Sequence, residues 1–252
     1  FGEIAVSEQI FHQLLDDAKR LQEQTSKQTI YAIQTNGTTV TRKKAVFFKE
    51  NNIFVGLSLD GPALLHDMMR KSQMGNGSYK KARVGLGHLI DFDIPFIVNA
   101  TIHRLNFQYI REILDHFNEI NISHFVFKPI LYRGSAVVSW NKIGLSTDEY
   151  HGFLDEMVAL AFAHHSLDWL DTSFITLVQR ALGDIRGWSS LCYSGYCQGS
   201  KTQLVVNSNG LCYPCPRYSS IGEGEFCLGS IESLAQKKED SLEKTIISEK
   251  NE

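Results

Sequence analysis

Two groups of residues carry the chemistry that this 252-residue sequence offers. The first is the stretch VGLSLDGPALLHDMMR at 55–70, in which an apolar run meets Ser58, Asp60, His66 and Arg70. A serine hydroxyl both donates and accepts hydrogen bonds, and a guanidinium pairs with carboxylates. The second group is five cysteines, Cys192, Cys197, Cys212, Cys215 and Cys227, with none earlier in the chain. An odd, clustered set without a secretory signal points to metal more than to disulfides. Cys212 and Cys215, with two residues between them, have zinc-like spacing, and thiolates on a hairpin also suit a [4Fe–4S] cluster. Cys227 reads as a buried thiol.

The first group needs an element to hold it. Residues 53–59 have the length and apolarity of a strand buried on both faces, as parallel strands under helices are. Asp60-Gly61-Pro62 ends the strand, and Pro62 suits the first turn of a helix, where its missing N–H costs nothing. Ala63, Leu64, Met68 and Met69 then supply one apolar face, with His66 and Arg70 four residues apart. Ligands of parallel α/β domains meet the carboxyl ends of strands, so Ser58, Asp60 and Arg70 are expected to line a site. The same residues also suit a plain strand-to-helix turn with a solvated helix face.

The rest of the chain repeats the pattern. Strands are expected at 29–34, 95–102 and 123–130, with helices opening after Ser7, at Thr41, at Ser78 and at Asn106. Inward faces are expected from Leu14, Leu15 and Leu21, from Ala45, Val46 and Phe48, from Ala82, Val84, Leu86, Leu89 and Ile90, and from Ile110, Ile113 and Phe117. Asn99 sits inside the apolar strand PFIVNATI. An unpaired buried amide costs about 1–3 kcal/mol, so Asn99 requires a partner, either a cofactor or neighbouring backbone. Ser146 and Glu149 form a capping box for a helix to about His164, and a further helix runs from Ser173. Asn209-Gly210 joins two short apolar segments as a hairpin does. Strand–helix alternation with short connections argues for parallel strands and crossover helices.

Composition narrows the partners. The net charge of −3 with scattered Lys and Arg gives no footprint for nucleic acid, and no basic tract suits a membrane surface. No run approaches the roughly 18 apolar residues of a membrane span, and the first residues are not a signal peptide, so a cytoplasmic protein is expected. The chain opens at Phe1 and closes on the polar stretch 237–252; both ends read as cut.

Gly2-Glu3, Thr35-Asn36-Gly37, Ser58-Leu59-Asp60-Gly61-Pro62 with His66-Asp67 and Arg70, Asn99, and the late cysteine segment together resemble radical S-adenosylmethionine enzymes of the SPASM class. They are similar to anaerobic sulfatase-maturating enzymes and related peptide maturases. The resemblance covers nearly the whole chain and implies a partial (β/α)6 barrel with parallel strands and a small Cys-rich C-terminal module. The implied domains are a partial barrel at 1–136, a helical connection at 137–187, a truncated SPASM-like iron-sulfur module at 188–235 and a polar tail at 236–252. It implies that Gly2 and Glu3 bind the methionine amino group of S-adenosylmethionine, that Ser58 and Arg70 contact the cofactor, and that Leu131 lines its adenine. Asn99 is a further cofactor candidate. Cys192, Cys197 and Cys215 are the implied ligands of an auxiliary [4Fe–4S] cluster, with Cys212 a candidate for the vacant place.

The resemblance also implies a three-cysteine loop upstream of the glycine-glutamate turn, holding the cluster that reduces the cofactor. No cysteine precedes Cys192, so the chain as given is expected to be inactive alone, as a fragment or as a degenerate relative. Implied partners are a peptide or protein substrate and a reductant such as flavodoxin or ferredoxin. In sulfatase-maturating enzymes an aspartate base follows the cysteine equivalent to Cys215, whereas this chain has Pro216, which cannot take a proton. A peptide substrate of another kind is therefore expected. A function from a different class, a non-catalytic peptide-binding scaffold with a zinc or iron-sulfur knot, fits the same cysteines.

Overall fold

In the computed structural model, residues 8–164, 203–220 and 226–235 are described. The chain divides into two compact units, Phe1–Leu131 with Ser139–Leu177, and Tyr132–Val138 with Val178–Glu252. The first unit opens on α1 (Glu8–Thr25). It then alternates β1 (Tyr31–Thr35), α2 (Arg42–Glu50), β2 (Ile53–Ser58), the helix pair α3 (Ala63–Met69) and α4 (Tyr79–Asp91), β3 (Phe96–Ile102), α5 (Ile110–Glu119) and β4 (Phe125–Pro129). Helices α6 (Ala136–Ile143) and α7 (Thr147–His164) follow.

The four strands form one parallel sheet in the order β1-β2-β3-β4. Gln34 stands opposite Gly56, Ser58 opposite Asn99 and Thr101 opposite Lys128. Side chains alternate across a strand, so this register sorts the sheet into two faces. Ile53, Val55, Leu57, Val98, Ala100, Ile102, Phe125 and Phe127 are buried on one face. They form a core with Ala45 and Phe48 of α2, Leu86 and Leu89 of α4, Ile113 and Phe117 of α5, and Met157 of α7. Each fully buried side chain of this size stabilises the fold by about 1.5–3 kcal/mol.

The other face carries Gln34, Gly56, Ser58, Asn99, Thr101 and Lys128. The expectation that β2 is buried on both faces is thus corrected: Phe54 is 37% exposed and Ser58 half-buried. Apolarity did not separate the two faces here, because Phe54 and Gly56 read as core residues in a run.

Helix faces needed similar correction. In α3, Leu64 is 77% exposed and Met68 and Met69 over a third exposed, while Leu65 and His66 are buried. Leu15, Ala45, Phe48, Ala82, Leu86 and Leu89 point inward as expected, whereas Leu14, Leu21, Val46, Val84 and Ile90 are exposed. The capping box of α7 forms, with Ser146 N–H donating to Glu149 Oε2 at 2.7 Å and Glu149 N–H donating to Ser146 Oγ at 3.2 Å. Asn106 caps no helix with its side chain. It accepts from His103 N–H at 2.8 Å and donates to the Thr101 carbonyl at 2.9 Å, which folds the chain back onto the end of β3.

In the second unit, β5 (Val205–Val206) and β6 (Leu211–Tyr213) pair antiparallel as the Asn209-Gly210 hairpin requires. Then β7 (Gly229–Ser230) adds to β6, followed by α8 (Ile231–Ala235). The expected helix from Ser173 lies outside the described residues.

Candidate functional site

The carboxyl ends of β1, β2 and β3 bring polar side chains together on the face opposite the core. Gln34 extends over Gly56, donating from Nε2 to Ser58 Oγ at 3.0 Å and accepting at Oε1 from Asn99 Nδ2 at 3.0 Å. The crossing depends on glycine: a Cβ at position 56 would lie 2.3 Å from Gln34 Oε1 and 3.0 Å from Asn99 Nδ2. Asn99 thus finds a side chain rather than backbone, and Ser58 likewise. Gln34 itself escaped the sequence reading. Its signal was a long polar side chain near the end of an otherwise apolar strand.

Beside this trio lies a second network. Arg70 grips Asp60 with two bonds, Nε to Oδ2 at 2.6 Å and Nη2 to Oδ1 at 3.0 Å, and Nη2 also reaches Thr101 Oγ1 at 3.3 Å. Asp60 Oδ1 further accepts from Thr101 N–H at 2.8 Å. The pair is inside the protein, with the Asp60 side chain 2% exposed and that of Arg70 25%. Asp67, a plausible partner for Arg70 by spacing, instead accepts from Tyr79 N–H at 2.8 Å. The Arg70 fork is therefore already committed to Asp60, which limits what it offers a ligand.

His66 seals the turn from below. Its Nδ1 accepts from Asp60 N–H at 3.3 Å, which places the proton on Nε2, 3.0 Å from Ser78 Oγ. Ser78 Oγ in turn donates to the Arg70 carbonyl at 2.9 Å. His103, just beyond β3, is 1% exposed; its Nδ1 accepts from Leu105 N–H at 3.2 Å and its Nε2 has no partner. Burial holds both rings below the ordinary histidine value, against the opposing pull of Asp60. An unfolded chain takes up protons near pH 6.5 that these buried rings refuse, so stability rises with pH below that value. The chemical-denaturation midpoint is expected to hold above about pH 6.5 and to fall as the pH drops beneath it. Equal midpoints at about pH 7.5 and pH 5.5 would contradict this.

Leu131 stands just past β4 and is 42% exposed. Gly2, Glu3, Cys192 and Cys197 lie outside the described residues. Cys212 is buried on β6, and burial, helped by the nearby Cys227, pushes its thiol up. Cys215 and Cys227 are half-buried. Among the described residues no three His, Cys, Asp or Glu side chains converge on a metal-sized site. A cavity of about 620 Å³ opens elsewhere, at the amino end of β4, lined by Arg111, Asp115, Asn118, Asn121, Ser123 and Leu160. It lies at the wrong end of the sheet for the polar groups above. Among the described residues no helix is long and apolar enough to cross a membrane.

No family model matches the chain. A cysteine-type anaerobic sulfatase-maturating enzyme of Clostridium novyi (strain NT) is 30% identical over 208 residues, covering 80% of this chain and 52% of the relative. A serine-type anaerobic sulfatase-maturating enzyme of Bacteroides thetaiotaomicron is 38% identical over 101 residues, covering 40% and 24%. The chain thus spans about half the length of the Clostridium novyi relative. Among solved structures, native anSMEcpe with bound AdoMet superposes with a TM-score of 0.76 at 22% identity, covering 95% of this chain and 66% of that one. The same protein with AdoMet and the Kp18Cys peptide gives 0.71 at 23%, with the same coverage. The expected α/β fold, with its parallel four-stranded sheet, is the fold of those structures. Over the part that it spans, the chain is similar to anaerobic sulfatase-maturating enzymes.

Proposed function

We propose that the protein is a radical S-adenosylmethionine enzyme that modifies a peptide or protein side chain, with the cofactor held at the carboxyl ends of β1–β3. The observation that carries this reading is the convergence of Ser58, Gln34 and Asn99 on the half-exposed face of the sheet, next to the Asp60–Arg70 pair. A hydroxyl and amide groups fit the hydroxyl-rich and charged parts of S-adenosylmethionine. Gly2 and Glu3 would hold its amino group and Leu131 its adenine. Arg70, gripped by Asp60, would present its remaining Nη1 edge. When bound and reduced, the cofactor supplies a 5′-deoxyadenosyl radical that removes hydrogen from the substrate; the protein orients the reactants and excludes water.

The [4Fe–4S] chemistry of the homologues requires cysteines, and the cysteines described here do not by themselves converge on a metal. Cys192, Cys197, Cys212 and Cys215 are the residues proposed for an auxiliary SPASM cluster, and the three-cysteine loop of the reducing cluster is not among these 252 residues. A peptide partner is favoured by the peptide bound to the structural neighbour. Pro216 in place of an aspartate favours a substrate other than a sulfatase. A flavodoxin- or ferredoxin-type reductant and a cytoplasmic setting complete the proposal.

The test is incubation of the full-length protein, reconstituted anaerobically, with S-adenosylmethionine and dithionite. Formation of 5′-deoxyadenosine is the expected result. Its absence from protein with verified iron and acid-labile sulfide would return the chain to a binding scaffold.

A further inference from the structure

We propose that the outer flank of α3, with the hairpin at 71–77 and the first turn of α4, is a docking surface for an acidic segment, interspersed with apolar side chains, of the peptide or protein that the enzyme modifies. This rests on the reading that the protein is a peptide-modifying enzyme, and it names the chemistry of the substrate.

Charge sets the surface apart. The chain carries a net charge of −3, yet residues 61–90 hold five Lys or Arg (Arg70, Lys71, Lys80, Lys81 and Arg83) against a single acid, Asp67. Asp60 already holds Arg70. Asp67 is occupied by the Tyr79 N–H and is packed so closely under Gly77 that a Cβ there would run into its carboxylate. Lys71, Lys80 and Lys81 are exposed, and among the described residues none of the three is in an ion pair. Lys80 and Lys81 also stand in the first turn of α4, which holds no acid and where the helix dipole disfavours positive charge. The fold gains nothing from cations at these places, whereas an anionic partner does.

Apolar side chains lie among these lysines. Leu64 and Met68, four apart on α3, share one face and are both exposed. Met74 is 88% exposed at the tip of the hairpin. Backbone bonds hold that tip in place: Lys71 pairs with Gly77, Ser72 N–H donates to the Asn76 carbonyl at 2.7 Å, and Gly75 N–H donates to the Ser72 carbonyl at 2.9 Å. Apolar side chains bordered by charge have the anatomy of an interface centre and its rim. Aliphatic side chains give bases nothing to stack on, which disfavours a nucleic acid. The hairpin springs from Arg70, whose Nη2 reaches Thr101 Oγ1 on the sheet, so its occupant lies beside the proposed site of reaction, where a substrate segment must pass.

Binding of a short, dye-labelled peptide of Glu interspersed with Leu is measured by fluorescence anisotropy on the full-length protein, beside peptides in which Lys replaces Glu or Ser replaces Leu. The triple variant Lys71→Glu, Lys80→Glu, Lys81→Glu tests the charge, and Met74→Ser tests the apolar part. Glutamates at the start of α4 favour its dipole, so an unchanged or raised melting temperature shows that the triple variant is folded. The parent is expected to bind the Glu/Leu peptide, more weakly as salt rises, and not to bind the Lys peptide. The triple variant is expected to lose about tenfold in affinity or more, and Met74→Ser about threefold, the second loss vanishing for the peptide that carries Ser.

Equal affinity in the parent and the triple variant would overturn the proposal, as would binding of anionic vesicles, a flavodoxin or a second copy of the chain in place of the peptide. A parent that forms 5′-deoxyadenosine but does not bind the peptide overturns this surface alone. A parent that binds the peptide but forms no 5′-deoxyadenosine overturns the enzyme reading and leaves the docking surface of a scaffold.

Discussion

Asp60→Ala is expected to destabilise the protein by about 3 kcal/mol, the cost of removing one member of a buried ion pair. Three observations set this figure. The Asp60 side chain is almost fully buried, it takes both bonds of the Arg70 fork, and it accepts from Thr101 N–H. Alanine would leave a largely buried guanidinium and a backbone donor without partners. Arg70 keeps a quarter of its surface in water and can turn outward, which holds the cost to the low end of the range for buried pairs. Asp60→Asn keeps the shape but not the charge and should cost less. Urea denaturation of both variants checks this; a loss below about 1 kcal/mol for Asp60→Ala would mean that the pair behaves as an exposed one. The same geometry changes how an Arg70→Ala result must be read. Weaker cofactor binding in that variant includes the disturbance of Asp60 and Thr101, beyond any lost contact with ligand.

Gly61→Ala is expected to cost about 2–4 kcal/mol, because two independent penalties fall on one position. The backbone there has φ of +113°, which residues with a Cβ avoid, and an added Cβ would lie 2.8 Å from Ile113 Cγ1. Ile113 is fully buried in the core under the sheet and cannot give way. Gly75→Ala separates the two effects. Gly75 also has positive φ, +80°, but a Cβ there meets nothing within 4 Å, so it should lose only the backbone part, about 1–2 kcal/mol. Equal melting temperatures for the two variants would show that the Ile113 contact carries no energy.

What could be read from the sequence follows the range of the interactions. Ser58, Asp60, Gly61 and Pro62 were legible because a strand, a turn and a helix start are set by neighbours in sequence. The α7 capping box was legible for the same reason, its two residues being three apart. Periodicity succeeded for the 13 residues of α4 at Leu86 and Leu89 and failed for the seven of α3. Two turns are too few to define a face when methionines lie on both sides. The burial of His66 was not legible because it depends on Asp60 N–H and Ser78, which only the fold brings near. Gln34 was hidden most completely. Its partners are 24 and 65 residues away, and nothing local marks the glycine that lets it reach them. The cysteine segment was legible as a cluster in sequence, whereas its pairing is outside what the described residues define.

The central claim is that the polar face at the ends of β1–β3 is a cofactor site. A crystal structure of the full-length protein grown anaerobically with S-adenosylmethionine tests it most directly. The expected result is cofactor oxygens or nitrogens within hydrogen-bond distance of Ser58 and Asn99, with the Asp60–Arg70 pair intact beneath. Cofactor bound away from these strand ends, with the Ser58–Gln34–Asn99 trio facing only water, would contradict it.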